Sequence, residues 1–200
     1  MRYVVLALLL VFSSAAYAQN RGTQVKKQPL ALLAYLDGDV DDMSVQRVID
    51  TIVKADDLGA RVILEINTDG GEIDAGFHLV KAIERAKHPV TCVVDDKAYS
   101  MGSYIFEACG RRVMTKRSTL MIHEAGMDVG GHPWDLLDAA AWLRVRSLSM
   151  FEHYAHHIPG LTAAEIAART SGGRCIWLEW REAKALGAVD AVVDTVADVK

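Results

Sequence analysis

Three short segments hold residue types that work together in acyl chemistry. Ala98-Tyr99-Ser100-Met101-Gly102-Ser103 sets a serine among small residues at the expected start of a helix. A hydroxyl there sits in the positive field of the helix N-terminus. The N–H of Met101, which lacks an intrahelical partner, is free to donate to a developing oxyanion. Leu120-Met121-Ile122-His123 ends an apolar strand on an imidazole, which a strand edge lets face a cleft and serve a nearby serine as base. Gly70-Gly71 is a paired-glycine turn that presents backbone N–H groups unobstructed, one half of an oxyanion site. Taken singly, each has a plainer reading that local features favour: Ser100 as an N-cap, His123 as a structural residue, the glycines as a turn.

Other chemistry-bearing residues are less well accompanied. His153 and His157 have the i, i+4 spacing of metal ligands, but no obvious third ligand joins them, and with His156 they read as solvated or interface residues. The acidic run Asp37–Asp42 lacks the ligand pattern of a calcium loop and reads as a loop with an acidic helix start. Cys92, Cys109 and Cys175 are too few and too scattered for a zinc cluster or a disulfide scaffold, and their pairing is open. No metal or cofactor is expected.

The elements that must position these groups alternate. Strands are expected at Leu30–Leu36, Arg61–Ile66, Val90–Val94, Arg112–Met114 and Thr119–His123. Helical spacing marks 45–53, 73–86, the stretch after Ala98, 133–157, 162–169 and 179–186. Asn67–Gly71 reads as a turn. The long helix carries apolar residues on two sides (Trp134, Leu137, Leu148 and Phe151; Leu136, Leu143 and Met150), which suggests burial on both, one against another subunit. The pattern is that of an α/β fold with substantial parallel strand content.

Composition narrows the field. The chain has 200 residues, 51% of them hydrophobic and 24% charged, with a formal net charge of −4. That is ordinary globular usage, so disorder and coiled coil are out for most of the chain. No basic stripe stands out, so nucleic acid is not an expected partner. Residues 1–18 read as a leader: Arg2, an uncharged apolar run from Tyr3 to Phe12, and Ala16-Tyr17-Ala18 as a cleavage site. The expected organisation is a signal peptide at 1–18, a loose polar arm at 19–29 and a single domain at 30–200. The mature chain would be exported, to a bacterial periplasm.

In order and spacing, the segments resemble the Clp protease proteolytic subunit (ClpP) family. Leu64–Gly71 (LEINTDGG), then Ala98–Ser103 (AYSMGS), then Leu120–Glu124 (LMIHE) stand where the family has I-N-S-P-G-G, A-S-M-G-A and M-I-H-Q. The likeness runs from about residue 31 to 195 and ends in the family's E-A-x-x-x-G-x-V-D at Glu182–Asp190. The resemblance implies a crotonase-like superhelix of strand–strand–helix units with a protruding long-helix handle. It implies Ser100 as nucleophile, His123 as general base, and the N–H groups of Gly71 and Met101 as oxyanion donors. It also implies peptide or unfolded-protein substrates and ring-like homo-oligomers.

The chain departs from that pattern at two residues of the site. Counting back from Asp190 places Cys175 where the family has the third triad residue, an Asp; a neutral thiol is a poor substitute. Glu179 or Glu182 would need a local shift to replace it, and strand alternation points Glu124 away from the His123 side. Asp69 replaces the proline of the glycine turn. Export adds a further expectation, that no ATP-driven unfoldase serves this chain. The reading is an exported serine peptidase. The alternatives are a weak or inactive assembly or binding subunit, and another acyl chemistry such as thioester hydrolysis.

Overall fold

The computed structural model describes residues 30–199, so the expected leader and arm lie outside the described residues. Strand and helix alternate from the start: β1 (Ala31–Val40), α1 (Asp42–Leu58), β2 (Arg61–Gly71), α2 (Ile73–Arg85), β3 (Thr91–Tyr99) and α3 (Met101–Glu107). Two strands follow, β4 (Arg111–Thr115) and β5 (Thr119–Ile122), then the long helix α4 (Pro133–His157). The chain continues through α5 (Ala163–Thr170), β6 (Ile176–Glu179), α6 (Trp180–Leu186) and β7 (Ala191–Val193). This is the α/β architecture with a parallel sheet that the sequence indicates.

The sheet runs β1-β2-β3-β4-β7, all parallel, and branches at β3. The first half of β3, Thr91–Val94, pairs with β4; its end, Lys97–Tyr99, pairs with β5. β5 in turn pairs antiparallel with β6. The main core lies on one face, where Leu36, Leu64, Ile66, Val94 and Met114 meet Val48, Leu79, Ile105 and Phe106 from the helices. Alternation sends Ile63, Val93 and Val113 to the other face, where the C-terminal residues Val196 and Val199 partly cover them.

Local chemistry sets several boundaries. Asp41 caps α1 by accepting from Ser44 N–H, and Ser44 Oγ accepts from Asp41 N–H in return. The acidic run is therefore a helix start, as expected, but Asp37–Val40 belongs to β1 rather than to a loop. Asn67–Gly71 is likewise strand, not turn: β2 continues to Gly71 after a register shift opposite Asp37–Asp39. Backbone pairing with β1 overrides the local turn preference of these residues. The patterning did not indicate β6 or β7, which are short and half exposed.

Helix α4 carries the two apolar sides unequally within the chain. Its buried residues, Ser147, Met150, Phe151 and Tyr154, all lie in the C-terminal half. Trp134, Leu136, Leu137, Val145 and Leu148 are exposed, so within this chain the helix is buried on one side and only at one end. No helix among the described residues is long and apolar enough to cross a membrane.

Candidate active site

The branch in the sheet brings the site together. Parallel pairing of Lys97 with Thr119 and of Tyr99 with Met121 runs β3 and β5 to the same end. Ser100 follows β3 and His123 follows β5, and Ser100 N–H donates to the Met121 carbonyl at 2.9 Å. The side chains meet there: His123 Nε2 lies 2.7 Å from Ser100 Oγ. A serine in that contact donates to a neutral imidazole whose proton is on Nδ1.

Ser100 adopts φ 53° and ψ −120°, the one positive φ among the described non-glycine residues. Such backbone is costly for an L-residue and persists only where its surroundings over-determine it. It makes a sharp strand-to-helix turn, with no side-chain cap bond from Ser100 to α3. The hydroxyl therefore points to His123 instead of closing the helix. This settles against the N-cap reading, which local sequence favoured.

Gly70 and Gly71 form one wall. A Cβ on Gly70 (φ 109°) would lie 2.7 Å from Ser100 Cβ and 3.2 Å from Met101 N. A Cβ on Gly71 (φ 150°) would lie 2.3 Å from the Val40 carbonyl oxygen. Glycine is thus required twice, once by Ser100 and once by β1. The Gly70 N–H is already donated to Thr68 Oγ1 at 3.0 Å. Met101 opens α3, so its N–H has no carbonyl within the helix to receive it. Asp69, in the place of the family's proline, forms an exposed ion pair with Lys97 at 2.6 Å.

Half-burial pushes the His123 imidazole below the usual histidine range, and the charge of Glu124 opposes that shift. The shift favours the neutral ring, the form a general base needs. Among the described residues its side-chain hydrogen bond is the one to Ser100, and no carboxylate bonds to Nδ1. Cys175 is an exposed free thiol immediately before β6. Glu179 and Glu182 lie farther on, at the end of β6 and in α6.

Other singled-out residues lie elsewhere. Cys92 and Cys109 form a disulfide that bridges the start of β3 and the turn after α3, enclosing Ser100 in its loop. His153 is part-buried rather than solvated: its ring stacks on Tyr104 at 4.1 Å, and its Nε2 donates to the Tyr104 carbonyl at 3.1 Å. His157 stacks on His153 at 4.5 Å. Sequence reasoning missed Ser103 and Tyr154, whose hydroxyls approach the Ser100 carbonyl. A polar group at the core end of an apolar helix stripe was the one signal for Tyr154.

A serine on a strained strand–helix turn, hydrogen bonded to a histidine beside a glycine pair, is the nucleophile–base arrangement of a serine hydrolase. The Clp protease family model matches residues 29–196, and the chain belongs to that family. It is 30% identical over 170 residues to ATP-dependent Clp protease proteolytic subunit 1 of Protochlamydia amoebophila, covering 80% of each chain. It is 27% identical over 165 residues to ATP-dependent Clp protease proteolytic subunit 1 of Streptomyces avermitilis, covering 80% of this chain and 75% of the relative. The chloroplastic proteolytic subunit 3 of Arabidopsis thaliana is 29% identical over 166 residues; 81% of this chain is covered, but only 53%, about half, of that relative.

Proposed function

We propose that this chain is an exported serine peptidase that cleaves peptide bonds through an acyl-enzyme on Ser100. The 2.7 Å contact between His123 Nε2 and Ser100 Oγ carries the reading. Ser100 Oγ attacks the peptide carbonyl as His123 takes its proton. The tetrahedral oxyanion is met by the N–H groups of Gly71 and Met101, since that of Gly70 is occupied by Thr68. His123 then protonates the leaving amine, and water, activated by the same base, releases the acyl group.

Export is supported by the leader-like residues 1–18 and by the Cys92–Cys109 disulfide, a bond that persists in oxidising compartments. The names of the relatives include "ATP-dependent". An exported chain meets no ATP, so it acts without an unfoldase on small or already unfolded peptides. The exposed apolar residues of α4, Trp134 and Leu137 among them, supply a surface for homo-oligomers, ring-like as the resemblance implies.

Cys175 favours one second reading, a catalytically weak or inactive assembly subunit, because the expected acidic partner of His123 is absent there. Intact-mass measurement after exposure to a fluorophosphonate separates the two. One adduct on the mature chain, lost in Ser100→Ala and His123→Ala, is the expected result. A folded parent that takes no adduct at neutral and alkaline pH would point to the assembly role.

A further inference from the structure

The carbonyl of Ser100, not only its hydroxyl, is held. As the residue before α3 it accepts Tyr104 N–H at 3.1 Å, the ordinary helical bond. Two side-chain hydroxyls converge on the same oxygen: Ser103 Oγ at 2.8 Å and Tyr154 OH at 3.2 Å. Ser103 Oγ also lies 2.8 Å from the Met121 carbonyl and 2.7 Å from the Tyr154 oxygen. The Met121 carbonyl accepts Ser100 N–H as well. Both peptide groups of Ser100 are thereby tied to one cluster, and the cluster grips β5 two residues before His123.

Two protons serve these contacts. With Tyr154 donating to Ser103, and Ser103 donating to a carbonyl, the shortest contact holds a proton. Ser103 and Tyr154 are both 0% exposed, so water does not substitute for either hydroxyl. A phenol in the core is costly unless bonded. Packing alone would be met by phenylalanine, so the hydroxyl of Tyr154 has its use in this cluster.

We propose that Tyr154, acting through Ser103, is a positioning residue for the nucleophile. The pair holds the strained Ser100 turn against the end of β5 and so sets the approach of Oγ to the His123 imidazole. The proposal rests on the serine-peptidase reading. It also gives α4 a direct link to the reaction, because the helix with the exposed apolar end carries Tyr154.

The test uses the full mature chain with Tyr154→Phe, Ser103→Ala and the double variant. Steady-state turnover of an activated peptide ester and the rate of fluorophosphonate labelling are measured on each, with thermal melting to verify folding. Each single variant is expected to lower kcat and the labelling rate about tenfold, as loss of reactive geometry does, with KM little changed. The double variant is expected to be no slower than the slower single, since the two hydroxyls act as one unit. If one variant fails to fold, the other decides. Parent-like kcat in a folded variant, or a loss confined to KM, overturns the proposal alone. A parent that neither turns over the ester nor labels overturns the peptidase reading and the proposal with it.

Discussion

His123 and Cys175 each lie one residue beyond Ile122–Ile176, the last pair of the β5–β6 ladder. The antiparallel register pairs Thr119 with Glu179 and ends with Ile122 opposite Ile176, so the two strands leave the ladder at the same end. The gapless count back from Asp190 reaches Cys175. A thiol there neither selects the Nδ1–H tautomer nor stabilises the imidazolium as a carboxylate does. Cys175→Asp is expected to raise kcat on an activated peptide ester by at least about tenfold, out of the order of 10⁴ that a triad carboxylate contributes elsewhere. Steady-state kinetics of parent and variant check this; an unchanged kcat would show that an acid at this position does not serve the ring.

The pH profile follows from the same ring. A histidine serves as a base only when neutral, and burial holds the pKa of His123 below the ordinary 6.5. The labelling rate should rise with pH through that depressed pKa and be level at neutral pH. In Cys175→Asp a nearby anion favours the imidazolium, so the midpoint should move up. Labelling rates across the acid range give both midpoints. A parent midpoint at or above the ordinary histidine value would contradict the assignment of His123.

A methyl on each glycine meets a different neighbour. Gly70→Ala drives a methyl into Ser100 Cβ and Met101 N, so fluorophosphonate labelling should fall by about a hundredfold through misplacement of the nucleophile. Gly71→Ala meets the Val40 backbone, which does not rotate away, and should cost on the order of 1–3 kcal/mol of stability in addition to the labelling lost by displacing the Gly71 N–H. Denaturant melts alongside labelling distinguish the two effects.

The Cys92–Cys109 bond closes a loop with a sequence separation of 17. A loop of that size stabilises by about 3 kcal/mol in the chain-entropy account. Reduction, or paired Cys92→Ala and Cys109→Ala substitution, should lower Tm by roughly 6–12 °C for a domain of this size. Melting with and without reductant is the measurement, and an unchanged Tm would count against the bond.

Glu107 makes stability pH-dependent. Fully buried at the end of α3, it accepts from Arg112 Nη1 at 2.6 Å, while its second carboxyl oxygen has no partner. Burial pushes its pKa up to about 8 despite the guanidinium. The folded form therefore holds a proton that the unfolded chain releases above about 4.5. The stability this contributes is complete below that value and is lost as pH rises through about 8. Glu107→Gln removes the titration, so its Tm should fall less than the parent's between about pH 6 and about pH 9.

Residue types alone determined the α/β pattern, most element positions and the Ser100, His123 and glycine candidates. Apolar periodicity is a local signal, and the long helix was legible to its ends at Pro133 and His157. Local patterning misjudged Asn67–Gly71, where pairing with β1 outweighs turn preference, and it did not show that the chain itself covers only the C-terminal half of α4. It also did not reveal the Cys92–Cys109 bond or the cluster at Ser103 and Tyr154. Those relationships join residues 17 and 51 positions apart, and periodicity carries no information at that range. Only the tertiary structure decided that Ser100 meets His123 instead of capping α3. The cause is the branch of β3 from β4 to β5, which brings two strand ends together and holds Ser100 in backbone that its own sequence disfavours.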